Sequence, residues 1–349
     1  MNDNELMKTM PVPQAVAKMA IPSIISSLVT VVYNMADTFF VGQTGDPLQV
    51  AAVSLTNPIF ILFMAFANMF GMGGSAAASI AMGENNKKRM KQVSAFITYA
   101  SLGIGIVFAA LLVLFMQPIL GIFGANAETY DLAKGYVFHI SYGAPFIIWS
   151  AAASFVVRSE GSSREAMIGS MIGTVANIVL DPIMISGLHM GAAGAAIATT
   201  IGNVMASAYY LWYFVKKSPN FSILPKDFSL ENRLAATVCS CGLPTAIFSM
   251  LMSLSTIILN QILVAYGNAP VAAIGIVFKA NMFITFLQMG LANGVQPLLG
   301  YNFGSGDTKR FHAVESYTKK CCLIVGILAT ALFFFFRRPI IQMFINDEE

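Results

Sequence analysis

The chain has 349 residues, of which 56% are hydrophobic and 11% charged, with a formal net charge of +3. A soluble domain carries about 25% charged residues, so this composition excludes an ordinary soluble globular protein and requires lipid to meet part of the apolar surface. Four cysteines, Cys239, Cys241, Cys321 and Cys322, lie in or at the ends of apolar stretches, and their C-x-C and C-C spacings are not a zinc pattern.

Apolar runs of about 20 residues or more predict membrane helices. There are nine, at 15–42, 50–82, 93–122, 133–157, 165–187, 191–215, 234–265, 271–303 and 318–345. The first lacks a small-residue cleavage pattern and is too long for a signal peptide, so it reads as the first membrane helix. Several runs are longer than a bilayer requires and must tilt, kink or project. Pro22, Pro58, Pro145, Pro182 and Pro297 fall inside them. Each removes a backbone donor and frees a carbonyl one turn earlier, which is tolerated beside protein or a polar cavity.

The connections alternate in charge. One side holds Lys8, Lys18, Lys87, Lys88, Arg89, Lys91, Arg158, Arg164, Lys216, Lys217, Lys226, Arg233, Lys309, Arg310, Lys319 and Lys320, which is 16 of the 20 basic residues. The other side holds Lys134, Arg337 and Arg338, and Lys279 falls within a span. The excess of Lys and Arg predicts that the N-terminus and the basic loops are cytoplasmic.

An internal repeat runs through the chain. Gly73-Gly74 through Gly83, with Asn86, Lys88 and Arg89, recurs at an offset of 221 as Asn293-Gly294 through Gly304, with Asp307, Lys309 and Arg310. Pro118-Ile119-Leu120 with Phe123 recurs as Pro339-Ile340-Ile341 with Phe344, and Ala51-Ala52-Val53 as Ala272-Ala273-Ile274, at the same offset. Ile21-Pro22-Ser23 matches Leu243-Pro244-Thr245 at 222. The repeat holds six spans, an even number, so both copies enter the membrane in one orientation, as parallel repeats. The expected organisation is a six-helix bundle over 1–218, a cytoplasmic linker over 219–233, and the first three helices of a second bundle over 234–349. A twelve-span protein is thus expected, of which this sequence carries nine spans.

Charges at bilayer depth are costly and mark function by default. Three stand out: Asp37, Asp181 and Lys279. Asp37 lies 19 residues beyond Lys18 and Asp181 lies 17 beyond Arg164, roughly 28 and 26 Å along a helix. Both helices start in the cytoplasm, so both carboxylates belong to the outer half at similar height. Thr199 lies roughly 12 Å inward from Gly191 at the outer end, in the same layer. Asn177 and Asp181 are four apart and share a helix face. Pro182 frees the carbonyl of Ile178 nearby. This oxygen-rich set suits a hard cation, and the carboxylates could equally carry a proton. Asp37, Asn177, Asp181 and Thr199 are therefore the candidate coupling site for Na⁺ or H⁺. Asn34, beside Asp37, and Lys279, at the same depth, are candidates to line a cavity or touch substrate.

Other features are weaker. His139 and His189 lie near outer span ends and His312 in a basic loop, without a metal-ligand pattern. The 21 Met and 27 Phe residues suit adaptable apolar packing. Gly71, Gly73, Gly74 and Ser75 permit close helix packing, and no Walker Lys follows them. No nucleophile–base set, metal cluster or large extramembrane domain points to an enzyme or receptor, and no cofactor or nucleic acid is expected.

These residues carry a resemblance. Ile21-Pro22 with Asn34-Met35-Ala36-Asp37-Thr38-Phe39-Phe40-Val41-Gly42, then Asn177-Ile178-Val179-Leu180-Asp181-Pro182, Gly191 through Thr199, and Gln296-Pro297 through Gly304 resemble the multidrug and toxic compound extrusion (MATE) transporters, in the bacterial MepA/DinF-like branch. The resemblance covers the whole chain. It implies an all-α polytopic membrane protein with two six-helix lobes. It also implies efflux of cationic or amphipathic compounds in exchange for Na⁺ or H⁺ across the bacterial cell membrane, with cation roles on Asp37, Asn177, Asp181 and Thr199. A monomer is expected. Lipid-linked saccharide flippases of the same superfamily are the nearest rival reading, and a truncated remnant that inserts without transporting is another.

Overall fold

The computed structural model describes residues 3–42, 46–264 and 268–336. Some side chains within that range lie outside the described set, among them those of Asp37 and Lys279, as do Arg337, Arg338 and the acidic end Asp347–Glu349.

The described residues form eleven helices: α1 (Asp3–Lys8), α2 (Val12–Gly42), α3 (Pro47–Gly83), α4 (Lys87–Leu114), α5 (Met116–Ile122), α6 (Tyr130–Ser159), α7 (Ser163–Pro182), α8 (Gly191–Lys216), α9 (Leu234–Val264), α10 (Asn268–Gly304) and α11 (Thr308–Phe335). Each of the nine apolar runs is occupied by a long helix. The run at 93–122 differs from expectation by dividing into α4 and α5 at Phe115. Pro118 has no N–H to give the carbonyl of Leu114, so the helix breaks one turn earlier. Among the described residues, seven helices are long and apolar enough to cross a membrane by length and composition. Neither α8 nor α10 is among these seven. The first turns of α8 are Gly-Ala-Ala-Gly-Ala-Ala, small residues that suit its place packed between α6 and α7.

The repeat has a local structural counterpart. Asn86 accepts a hydrogen bond from the Arg89 N–H at 3.0 Å to cap α4, and Asp307 accepts one from the Arg310 N–H at 3.0 Å to cap α11. A side-chain oxygen at this position satisfies one of the donors that every helix N-terminus leaves open.

Helices α2–α8 pack on one another, while α9 and α10 lie against α3 and α2, and α11 against α10. Among the described residues, the closest contacts between these groups lie toward the end that carries the basic loops. One apolar core joins Met19, Ala20, Ala78 and Val156 to Val238, Val295, Leu298 and Val314 across the groups. A second core, holding Phe63, Leu120, Ile140 and Ile148, draws only on α3–α8. Glycines bring the backbones together at the shared end. A Cβ on Gly242 would fall on the Met69 carbonyl, one on Gly304 on the Ile80 carbonyl, and one on Gly83 on the Tyr301 carbonyl. Cβ atoms on Gly290 and Gly294 would lie 2.6 Å from the Cα atoms of Ile24 and Ala20. Toward the other end, α9 and α10 instead expose Phe248, Leu254, Ile258, Val277 and Phe278.

The segment between α8 and α9 is docked through its first half. Phe221 and Ser222 are buried. Ser94 Oγ donates to the Ser222 carbonyl at 2.8 Å and accepts from its N–H at 3.0 Å. Tyr99 Oη donates to the Ile223 carbonyl at 2.9 Å. At the α6–α7 turn, the fully buried Glu160 accepts hydrogen bonds from Tyr213 Oη (2.7 Å), Ser218 Oγ (2.9 Å) and the Asn220 N–H (3.0 Å). Burial pushes the Glu160 carboxyl up to about 7, with the Tyr213, Ser218 and Asn220 donors pulling it down. The N-terminus is tied to the same face, because Arg310 donates to the carbonyls of Met7 (3.0 Å) and Met10 (2.7 Å).

Candidate functional site: a polar cavity with a buried carboxylate in its wall

A cavity of about 420 Å³ lies among α2, α3, α6, α7, α8 and α10. Ser26, Ser27, Thr30, Tyr33 and Asn34 of α2 line it, with Asn68 of α3 and Ser150, Ser154 and Arg158 of α6. Asn177, Thr199, Asn203 and Tyr210 come from α7 and α8, and Phe286, Met289 and Asn293 from α10. Hydroxyls and amides dominate the polar part of this list. Such groups are kept at bilayer depth only against protein or a cavity.

Three of the sequence-predicted residues meet: Asn177 and Thr199 line the cavity, and Asp181 is buried behind Asn177. Asn177, Asp181 and Thr199 are 3%, 0% and 6% exposed. The Asn177 amide is oriented so that its nitrogen donates to Asp181 Oδ2 at 2.8 Å. Its oxygen then accepts from the Thr199 N–H at 2.9 Å and from Thr199 Oγ1 at 3.1 Å. This orientation satisfies both ends of the amide. The local sequence makes the approach possible. Gly173 faces Gly202, where a Cβ would lie 2.6 Å from the Gly173 carbonyl. After Pro182 the chain widens into a π-turn, Ile183–Gly187, and Gly194 of α8 meets it, since a Cβ there would lie 2.8 Å from Met184. Helices α7 and α8 therefore close to side-chain hydrogen-bonding distance at Asn177 and Thr199. The π-turn begins two residues after Asp181, and π-bulges in α-helices are frequent at functional sites.

A second set of polar bonds extends the wall toward α6. Ser150 Oγ donates to Asn203 Oδ1 at 2.9 Å, and Asn203 Nδ2 donates to the Thr199 carbonyl at 2.9 Å. These two residues were not anticipated. Their signal was an Asn on an otherwise apolar stretch of α8, one turn from Thr199. Asn34 is partly buried and lines the cavity. Asp37 belongs to α2, but its side chain, like that of Lys279 on α10, lies outside the described residues. Among the described residues there is no cluster of three or more His, Cys, Asp and Glu that could hold a metal ion.

Arg158 departs from the charge count, which places it in a water-exposed connection. It occupies the last turn of α6, is 6% exposed and lines the cavity. Its guanidinium lies 5.3 Å from the centre of the Phe155 ring, so a charge at a span boundary is held inside the bundle.

A polar cavity between groups of membrane-length helices is the arrangement a multi-pass membrane transporter requires. Comparison with known proteins gives the same class. The MatE family model matches residues 22–183 and 244–349, two stretches that begin at the prolines the repeat aligns. The chain belongs to the MatE family. It is 31% identical over 328 residues to the multidrug export protein MepA of Staphylococcus saprophyticus, a match covering 94% of this chain and 72% of that protein. It is 26% identical, with a TM-score of 0.92, to a multidrug resistance MATE family transporter of the MOP superfamily solved in an outward-facing conformation, over 99% of this chain and 76% of that one. A MATE protein solved in complex with MaL6 gives 25% identity and a TM-score of 0.94, over 100% and 77%.

Proposed function

We propose that this chain is a multidrug efflux antiporter that exports cationic or amphipathic compounds in exchange for Na⁺ or H⁺ across a bacterial cell membrane, with its N-terminus in the cytoplasm. The observation that carries the reading is the buried Asp181–Asn177–Thr199 cluster, whose Asn177 and Thr199 line a cavity shared by both groups of helices. The names of the similar proteins support the drug part of the proposal, and the bias of basic residues supports the orientation.

The mechanism follows from charge and geometry. With the basic-loop end packed shut, the cavity is reached from the opposite, outer side. An ionised Asp181 in this apolar setting is costly unless a cation or proton joins it. Binding from outside neutralises the carboxylate. It therefore favours whichever arrangement of α7, α8 and the π-turn buries the neutral form better, and the population shifts accordingly. Drug leaves to the outside as the ion enters. Asp37, on the neighbouring helix, is the proposed second carboxylate. The protein acts as a monomer.

The test is ethidium efflux from cells that express the chain with and without Asp181→Asn, which keeps shape and removes the titratable charge. The expected result is loss of energised efflux at normal membrane abundance. Wild-type efflux by the variant would overturn the proposal.

A further inference from the structure

We infer that a lysine-lined pocket at the start of α4 binds the phosphate headgroup of an anionic membrane lipid. The site lies outside the cavity between the helix groups and is independent of which ion or drug crosses it.

The pocket has a volume of about 360 Å³ and is formed by two elements. Helix α4 supplies Lys87, Lys88 and Lys91, and the segment after α8 supplies Lys226, Asp227 and Ser229. Lys91 is four residues from Lys87 and three from Lys88, so the three ammonium groups share one side of the first turns, where like charges repel. Among the described residues none of the four lysines has an ion-pair partner. The carboxylate in the pocket, Asp227, accepts a hydrogen bond from Ser222 Oγ of its own segment at 2.5 Å. An anion between the two elements would offset the repulsion and join Lys226 to α4. The first turn of α4, a helix of 28 residues, adds the positive end of its dipole.

The surroundings favour a lipid headgroup over a free phosphate. Leu224, Phe228 and Leu230, interleaved with Lys226 and Ser229, are 50%, 41% and 60% exposed. The Phe228 ring lies 6.2 Å from that of Phe96 and 5.7 Å from that of Tyr99, which keeps this exposed half of the segment beside α4. The apolar run of α4 begins at Val93, two residues after Lys91, about 3 Å along the helix. The lysines therefore stand where the span enters the membrane, with apolar side chains next to them. A lipid presents that pairing of negative charge and apolar surface, and a free phosphate does not. The repeat shows that the feature belongs to this turn. At the offset of 221, Lys88 corresponds to Lys309, but Thr308 and His312 stand in place of Lys87 and Lys91. On α11, His312 and Lys319 already pair with Glu315.

The test counts lipids bound to the purified full chain in detergent by native mass spectrometry, during titration with dioleoyl phosphatidylglycerol or dioleoyl phosphatidylcholine. The first phosphatidylglycerol should bind about ten-fold or more tighter than the first phosphatidylcholine, because several lysines act on its charge together. Combining Lys87→Gln, Lys91→Gln and Lys226→Gln, all exposed positions, should remove most of that preference. The charge-matched combination of Lys309→Gln, Lys319→Gln and Lys320→Gln should keep it. Equal loss in both variants would assign the effect to overall charge and overturn the inference. Wild-type protein without a preference for phosphatidylglycerol overturns it with no variant needed. Inorganic phosphate separates the two sources of the anion. At the lipid's own concentration it should leave phosphatidylglycerol bound, and displacement by it overturns the lipid assignment. None of these outcomes bears on the transport reading, which the efflux assay tests separately.

Discussion

Closure at the basic-loop end rests on glycine, and substituting those glycines is a sharp test. Gly290 and Gly294 of α10 face Ile24 and Ala20 of α2, and a Cβ at either would lie 2.6 Å from the opposing Cα. Carbon atoms rest at about 3.5–4.0 Å, so a methyl at either site forces α2 and α10 apart by about 1 Å. The opposing atoms are backbone and cannot rotate away. Overpacking of this kind costs about 1–3 kcal/mol, which shifts a two-state equilibrium by about 5- to 150-fold. The state that loses is the one closed at the basic-loop end. Spin labels on Lys88 and Lys309, both exposed at that end, report the opening by pulsed electron resonance in a background without the four native cysteines. Gly290→Ala and Gly294→Ala should each move the distance distribution toward longer values, and the double variant further. Gly103→Ala, where a Cβ meets nothing within 4 Å, should leave it in place. An unchanged distribution in the folded Gly290 and Gly294 variants would refute the claim that backbone approach sets closure.

Further outcomes follow from the docked segment and the polar wall. Burial pushes Glu160 from its ordinary 4.5 up to about 7, so the folded state favours its neutral form. Its contribution to docking the segment after α8 is greatest below about 4.5 and is lost as pH rises through about 7. Hydrogen-exchange protection over residues 217–230, corrected for the intrinsic pH dependence of exchange, should therefore fall between about pH 4.5 and 7, and Glu160→Gln should flatten that dependence. Ser94→Ala removes one partner from two buried bonds to Ser222 and should loosen the same segment by about 1–3 kcal/mol, read as faster proteolysis there. Asn177→Leu removes the amide that donates to Asp181. It should weaken ion-coupled efflux while Ser27→Ala, on the opposite wall, has a smaller effect.

Much of this architecture is legible in the sequence because bilayer burial writes itself as long apolar runs. The caps Asn86 and Asp307 are equally legible, since a repeat offset exposes equivalent turns. Asn177 and Asp181 could be paired from their four-residue spacing, and Thr199 from its depth, because helices have a fixed rise. What depth cannot give is rotation. The contact of Asn177 with Thr199 depends on Gly173, Gly202 and Gly194 letting α7 and α8 close, and no single-helix argument predicts that. Arg158 and Glu160 were hidden for a related reason. A charge at a span end is normally in water, but a segment more than fifty residues later in the chain folds back over Glu160, and Arg158 is enclosed within the bundle. The break at Phe115 was foreshadowed by Pro118, whose missing donor acts one turn upstream.

The central claim is that the Asp181 cluster couples ion entry to drug exit. Reconstituted in liposomes with an imposed Na⁺ or proton gradient, the 349-residue chain should drive a fluorescent cation uphill, and collapsing the gradient should stop it. Asp181→Asn should abolish the uphill component under either ion. Gradient-driven accumulation by Asp181→Asn at the wild-type rate would contradict the account.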